Sequence, residues 1–132
     1  MIIVAGSGPS SKGHNKAHVV TKKKVGWDYE HIVLPRANWI TERTQDKAIA
    51  WPQYPRREHW EDYYSQYGRI KYKPSNGLQA VFVAIDIYKP DEICLIGFDN
   101  ILTSARPTQH DWPAELRCIE SLVRISHPLS GL

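Results

Sequence analysis

Three short polar turns hold the residues of this chain best suited to chemistry: Gly6-Ser7-Gly8, Ser75-Asn76-Gly77 and Gly97-Phe98-Asp99. Glycine lets backbone approach a ligand closely, and unpaired N–H groups at the start of a helix favour an anion such as phosphate. Any one of these turns is explained by turn geometry alone. Three of them at strand ends point together to a nucleotide pocket, with Gly6, Ser7, Gly8, Ser75, Asn76, Gly77 and Asp99 against the ligand. Lys22-Lys23-Lys24 is a local basic run that could meet phosphate, although a solvated loop is the simpler reading of such a run.

Other chemistries find less support. His14, His18, His31, His59 and His127 show no metal-ligand spacing. His14 and His18 are four apart and would share a helix face, but Gly13 and its polar surroundings argue against a helix there. No Asp-x-Asp element for a metal-bound nucleotide sugar occurs, so no metal is expected. Cys94 and Cys118 form no CxxC pair and read as reduced core thiols. Neither a Ser/His/Asp nor a Cys/His catalytic order can be argued.

The elements that must position the turns follow from length and periodicity. A chain of 132 residues, 42% hydrophobic and 23% charged, is expected to form one soluble globular domain spanning 1–132. No apolar run approaches the roughly 18 residues that span a bilayer, and Met1 leads directly into "IIVAG" without a basic leader, so the expectation is a cytoplasmic protein with no membrane partner. A net charge of +3 is too small to argue for nucleic acid.

"MIIVA" reads as a buried strand stopped by Gly6. Between His14 and Trp51 only "HVV" and "HIVL" are strand-like. Pro55 to Gly68 has a helix-start proline, early acidic residues and a terminal glycine, and Trp60, Tyr63, Tyr64 and Tyr67 give that helix an aromatic face expected to pack in the core. "RIKY" from Arg69 predicts a further strand. In "SNGLQAVFVAIDIYKP" the residues Leu78, Val81, Phe82, Ile85 and Tyr88 follow helical spacing, with Ser75 or Asn76 as cap and Pro90 as terminator. "EICLIGF" is the next buried strand, so Arg69 to Phe98 predicts a strand-helix-strand crossover. The economical fold is α/β: a single Rossmann-like domain with a mainly parallel sheet flanked by helices.

The stretch "KPSNGLQAVFVAIDIYKPDEICLIGF" resembles the small sialyl motif of eukaryotic-type sialyltransferases: a Pro-Ser-x-Gly turn, an apolar helix, an acidic pair and a strand ending in Gly-Phe. "IIVAGSGPS" looks like the start of the large sialyl motif or its bacterial counterpart, and "HDWPAE" is similar to the family's His-x-x-x-x-Glu motif. The resemblance implies a transferase that uses CMP-sialic acid without a metal, by an inverting displacement. It implies that Ser7, Gly8, Ser75, Asn76 and Gly77 touch the cytidine nucleotide and that His110 is the general base on the acceptor hydroxyl. Glu115 would orient the imidazole or cap the helix that begins near Trp112-Pro113. Histidine suits that role because its ordinary pKa lies near neutrality.

Three functions therefore stand: a sialyltransferase-like glycosyltransferase taking a CMP-sugar or related donor, a non-catalytic module that carries, senses or sequesters a nucleotide, and an interaction protein whose glycine turns are only structural. On the first two, the ligand is a nucleotide or nucleotide sugar acting as substrate, with no separate cofactor. A homo-oligomer is compatible with each.

Overall fold

The computed structural model describes residues 1–69 and 71–126. Six short strands form one all-parallel sheet: β1 (Ile2–Ala5), β2 (Val19–Thr21), β3 (His31–Leu34), β4 (Ala48–Ala50), β5 (Glu92–Ile96) and β6 (Arg124–Ser126), in the order β4-β3-β2-β1-β5-β6. The expected single Rossmann-like α/β domain is what the chain forms.

Strand side chains alternate between faces, and the alternation divides the core in two. Val4, Val19, Val33, Ile93 and Leu95 pack with residues of all four helices: α1 (Arg57–Tyr64), α2 (Asn76–Tyr88), α3 (Asp99–Thr103) and α4 (Trp112–Glu120). Ala5, Ala17, Val20, Tyr29, Ile32, Leu34 and Ile96 form the second cluster, against which Val25 and Trp27 close. Single 3-10 turns at Pro9–Ser11 and Lys22–Lys24 occupy the β1-β2 and β2-β3 connections.

α2 is the central helix, lying across β1, β2 and β3. Its apolar spacing buries Leu78, Val81 and Phe82 completely. The Ser75 hydroxyl caps it by accepting from the Leu78 N–H at 3.2 Å. The helix stops because a proline disfavours helical backbone in the residue before it. Lys89, just ahead of Pro90, adopts φ 48° and donates its N–H to the Ile85 carbonyl.

The aromatic residues serve mainly to dock α1 on α2. The Trp60 ring stacks on Phe82 at 4.5 Å between centroids, and Trp51 packs on the same ring at 6.2 Å. Such pairs add about 0.5–1.5 kcal/mol each beyond area burial. Tyr54 Oη, Arg56 Nε and Trp60 Nε1 converge on the Asp86 carboxylate at 2.6, 2.9 and 2.8 Å, which ties the two helices at their polar edge. The aromatic face of α1 is a core face, as its spacing suggests.

Two expectations need correction. Arg69, Lys71 and Tyr72 form no strand, and Ile70 lies outside the described residues. The segment turns instead: the Tyr72 N–H donates to the Arg69 carbonyl, and the Arg69 N–H points to Asp111 Oδ2 at 3.4 Å. The strand that precedes the crossover is β4, whose partner is β3. The helix expected over 55–68 is also shorter, because after Tyr64 the chain tightens into turns, with the Gly68 N–H returning to the Tyr64 carbonyl. His127 lies outside the described residues.

Candidate functional site

The sheet topology puts a crevice between β1 and β5. From β1 the chain winds outward through β2 and β3 to β4, then returns through α1 and α2 to β5 on the other side of β1. Connections leaving β1 and β5 therefore diverge at their carboxyl ends, where open parallel sheets bind ligands. A cavity of about 410 Å³ opens there, lined by residues 6–9, 21–23, 75–77, 97–98, 100–101 and 109–110. It brings together Gly6, Ser7, Gly8, Ser75, Asn76, Gly77, Gly97, Phe98 and His110, residues from all three glycine turns and from the His-x-x-x-x-Glu motif.

The turns after β1 and β5 hold one another. The Gly6 N–H donates to the Ile96 carbonyl at 2.7 Å and the Gly8 N–H to the Gly97 carbonyl at 2.8 Å. Those two amides are thus engaged, whereas the spacing suggested free donors. Gly97 has φ 75°, and a Cβ there would collide with the Gly6 carbonyl, so the glycines allow two backbones to touch. Asp99 is the one expected contact residue that does not line the cavity. Its carboxylate accepts from the Ser10 N–H at 3.2 Å and Ser10 Oγ at 2.8 Å, at the first turn of the Pro9–Ser11 segment, where unpaired N–H groups attract it.

The first turn of α2 forms the opposite wall. Asn76 fixes it to the sheet: its Oδ1 accepts from the Lys22 N–H at 3.0 Å, and its Nδ2 donates to the Val33 carbonyl at 3.0 Å. Gly77 faces the Phe98 ring, whose nearest carbon would lie 3.0 Å from a Cβ at that position. The N–H groups of Ser7, Asn76 and Gly77 have no acceptor among the described residues. Lys22 and Lys23 line the same cavity, and Lys23 is also exposed to solvent. Lys22 Nζ sits 4.5 Å from the Trp39 ring centroid, and Lys24 turns away to donate to Ser11 Oγ at 2.7 Å. Thr21, the last residue of β2, also lines the cavity. Its hydroxyl is buried and unpartnered among the described residues, an arrangement that costs on the order of 1–3 kcal/mol unless a ligand or water satisfies it. Sequence reasoning passed over Thr21, since a threonine ending a β-branched run carries no signal before the strands are in register.

His110 and Glu115 have different hydrogen-bond partners among the described residues. The His110 Nδ1 lies 2.9 Å from the Lys73 carbonyl. A carbonyl only accepts, so Nδ1 carries a proton, and Nε2 is the nitrogen on which the neutral tautomer keeps its lone pair. Glu115 is fully buried and accepts from the Ser75 N–H at 2.9 Å and from Ser75 Oγ at 2.5 Å. Neither expected role for Glu115 holds: Lys73 orients the imidazole, and Asp111 caps α4 by accepting from the Ala114 N–H at 3.3 Å. Burial pushes the Glu115 carboxyl up to about 7 against the opposing effect of the Ser75 bonds, and Asp111 adds to the rise.

Among the described residues no group of three or more His, Cys, Asp or Glu side chains could hold a metal ion, and no described helix is long and apolar enough to cross a membrane. Compared with protein-family models, curated proteins and solved structures, the chain matches none.

Proposed function

We propose that the protein is a sialyltransferase-like glycosyltransferase that binds a CMP-sugar or related nucleotide-sugar donor at the β1/β5 cavity and transfers the sugar without a metal. The observation that supports this reading is the convergence, in one cavity, of free N–H groups from Ser7 and the start of α2, the lysines Lys22 and Lys23, and His110. Helix-start amides suit a phosphate, and Lys22 and Lys23 bring positive charge to the cavity wall. His110 suits the acceptor side, because its Nε2 can take the proton from an attacking hydroxyl while the Lys73 carbonyl steadies the ring. The acceptor oxygen then forms the new bond to the anomeric carbon as the nucleotide phosphate leaves with the bonding electrons, and inversion follows from single displacement. A cytoplasmic location belongs to the same reading.

A second reading is a module that carries, senses or sequesters a nucleotide without transfer. It is favoured by Glu115, which is bonded to Ser75 and gives His110 no carboxylate partner.

Calorimetric titration with cytidine, uridine, adenine and guanine nucleotides, followed by a transfer assay with the donors that bind, tests both. Cytidine nucleotides are expected to bind, and His110→Ala is expected to lower turnover by about two to four orders of magnitude with little change in nucleotide affinity. Transfer that survives His110→Ala would remove the base assignment. Tight binding with no transfer or hydrolysis would leave the module, and no nucleotide binding would sink both.

A further inference from the structure

Beneath the cavity floor lies a titratable group that the transfer reaction does not use. Glu115, from α4, has no exposed surface, and both of its described hydrogen bonds go to Ser75, a residue that lines the cavity and caps α2. The titratable groups that face it are Asp111 at the start of α4, Cys118 one turn on, and Tyr64 from α1, whose buried hydroxyl has no partner among the described residues. All of these are neutral or negative. No cation is hydrogen-bonded to Glu115 among the described residues, so a negative charge there is compensated only by Ser75.

The two protonation states present different surfaces to the cavity. Ionised, Glu115 accepts the Ser75 O–H while Ser75 Oγ accepts the Leu78 N–H, so the hydroxyl hydrogen points inward and offers a ligand nothing. A negative charge also lies one residue below an anion. Neutral, Glu115 donates its own O–H to Ser75 Oγ and keeps the Ser75 N–H on its other oxygen. The Ser75 hydrogen is then free to donate into the cavity, and the repulsion is gone. We infer that Glu115 is a positioning residue that couples ligand to proton: an anion seated against Ser75 and the first turn of α2 is bound together with one proton, carried by the Glu115 carboxyl. This rests on the cavity being an anion site, as the proposed function has it. Burial already holds the carboxyl near 7, where a modest push from a ligand changes its charge.

The test uses the methyl ester of cytidine 5′-monophosphate, since a phosphodiester lacks the second ionisation near pH 6 that a monoester has. Its affinity is measured from about pH 5.5 to about pH 8.5, across the Glu115 transition, for the unmodified protein and for Glu115→Gln, His110→Gln and Asp111→Asn. The unmodified protein is expected to lose affinity as pH rises above about 7, by up to about tenfold per pH unit, with proton uptake seen as a buffer-dependent heat of binding. Glu115→Gln keeps both Ser75 bonds through its amide and is expected to bind with the low-pH affinity throughout. Persistence of the slope in Glu115→Gln with its loss in His110→Gln would assign the proton to His110 and overturn the inference, and loss only in Asp111→Asn would move it to Asp111. If the diester binds at no pH, the anion-site reading fails by itself. The Glu115 device is then judged by carbon-13 titration of its carboxyl and of the Ser75 amide in the free protein. A common midpoint near 7 sustains the link from the Glu115 proton to Ser75 and leaves only its coupling to an anion overturned, and a Ser75 amide that ignores the Glu115 transition overturns the link as well.

Discussion

At the scale of single residues, the cavity depends on which polar atoms are already satisfied. Gly6, Gly8 and Asp99 are occupied in holding the turns together, while Thr21 is left with a buried hydroxyl that has no partner among the described residues. Thr21→Val keeps the branched shape and removes that hydroxyl. Stability of the free protein is expected to stay the same or rise slightly, since an unsatisfied group is deleted, while nucleotide affinity falls by about 1 kcal/mol, roughly fivefold. Thermal unfolding and calorimetry on the same samples separate the two effects. Unchanged affinity would place the Thr21 hydroxyl outside the ligand's reach.

At the scale of elements, the 3-10 turn Lys22–Lys24 divides one basic run into two roles. Lys22 and Lys23 face the cavity, and Lys24 supports the glycine turn through Ser11, whose hydroxyl donates to the Gly8 carbonyl at 2.8 Å. Replacing Lys22 and Lys23 together by Gln is expected to weaken nucleotide binding and flatten its dependence on salt, because two cations near the phosphate are lost. Lys24→Gln is expected to leave the salt slope unchanged and to lower the melting temperature. Equal salt slopes for the double variant and the unmodified protein would return Lys22 and Lys23 to the solvent. Sequence alone treats the three lysines alike, since only their placement after β2 and beside Ser11 distinguishes them.

At the scale of the whole molecule, a buried carboxyl with a raised pKa makes stability depend on pH. Glu115 rises from 4.5 to about 7 on folding, so between those values the folded state holds more of its proton than the unfolded state. Its contribution is fully present below about 4.5 and is lost as pH rises through about 7, with a limiting slope of about 1.4 kcal/mol per pH unit. Denaturant unfolding of the unmodified protein is expected to show stability falling across that window, and the slope should vanish in Glu115→Gln. A difference between the two proteins that does not vary with pH would mean that Glu115 is ionised in the fold.

Period and punctuation in the chain determined β1, α2 and β5: β-branched runs ended by glycine, an apolar stripe from Leu78 to Tyr88, and a serine cap ahead of it. These signals are local, so they survive without knowledge of neighbours. From them alone came the parallel α/β fold and the three turns that meet at one end of the sheet. Strand partners were decided only by tertiary structure, since β4 is a three-residue edge strand with little pattern of its own, and "RIKY" has strand-like composition while Arg69, Lys71 and Tyr72 join no strand. The same holds inside the cavity. Whether a glycine amide is free, whether Glu115 meets His110 or Ser75, and whether Thr21 has a partner depend on distances between segments far apart in the chain, which no local spacing encodes.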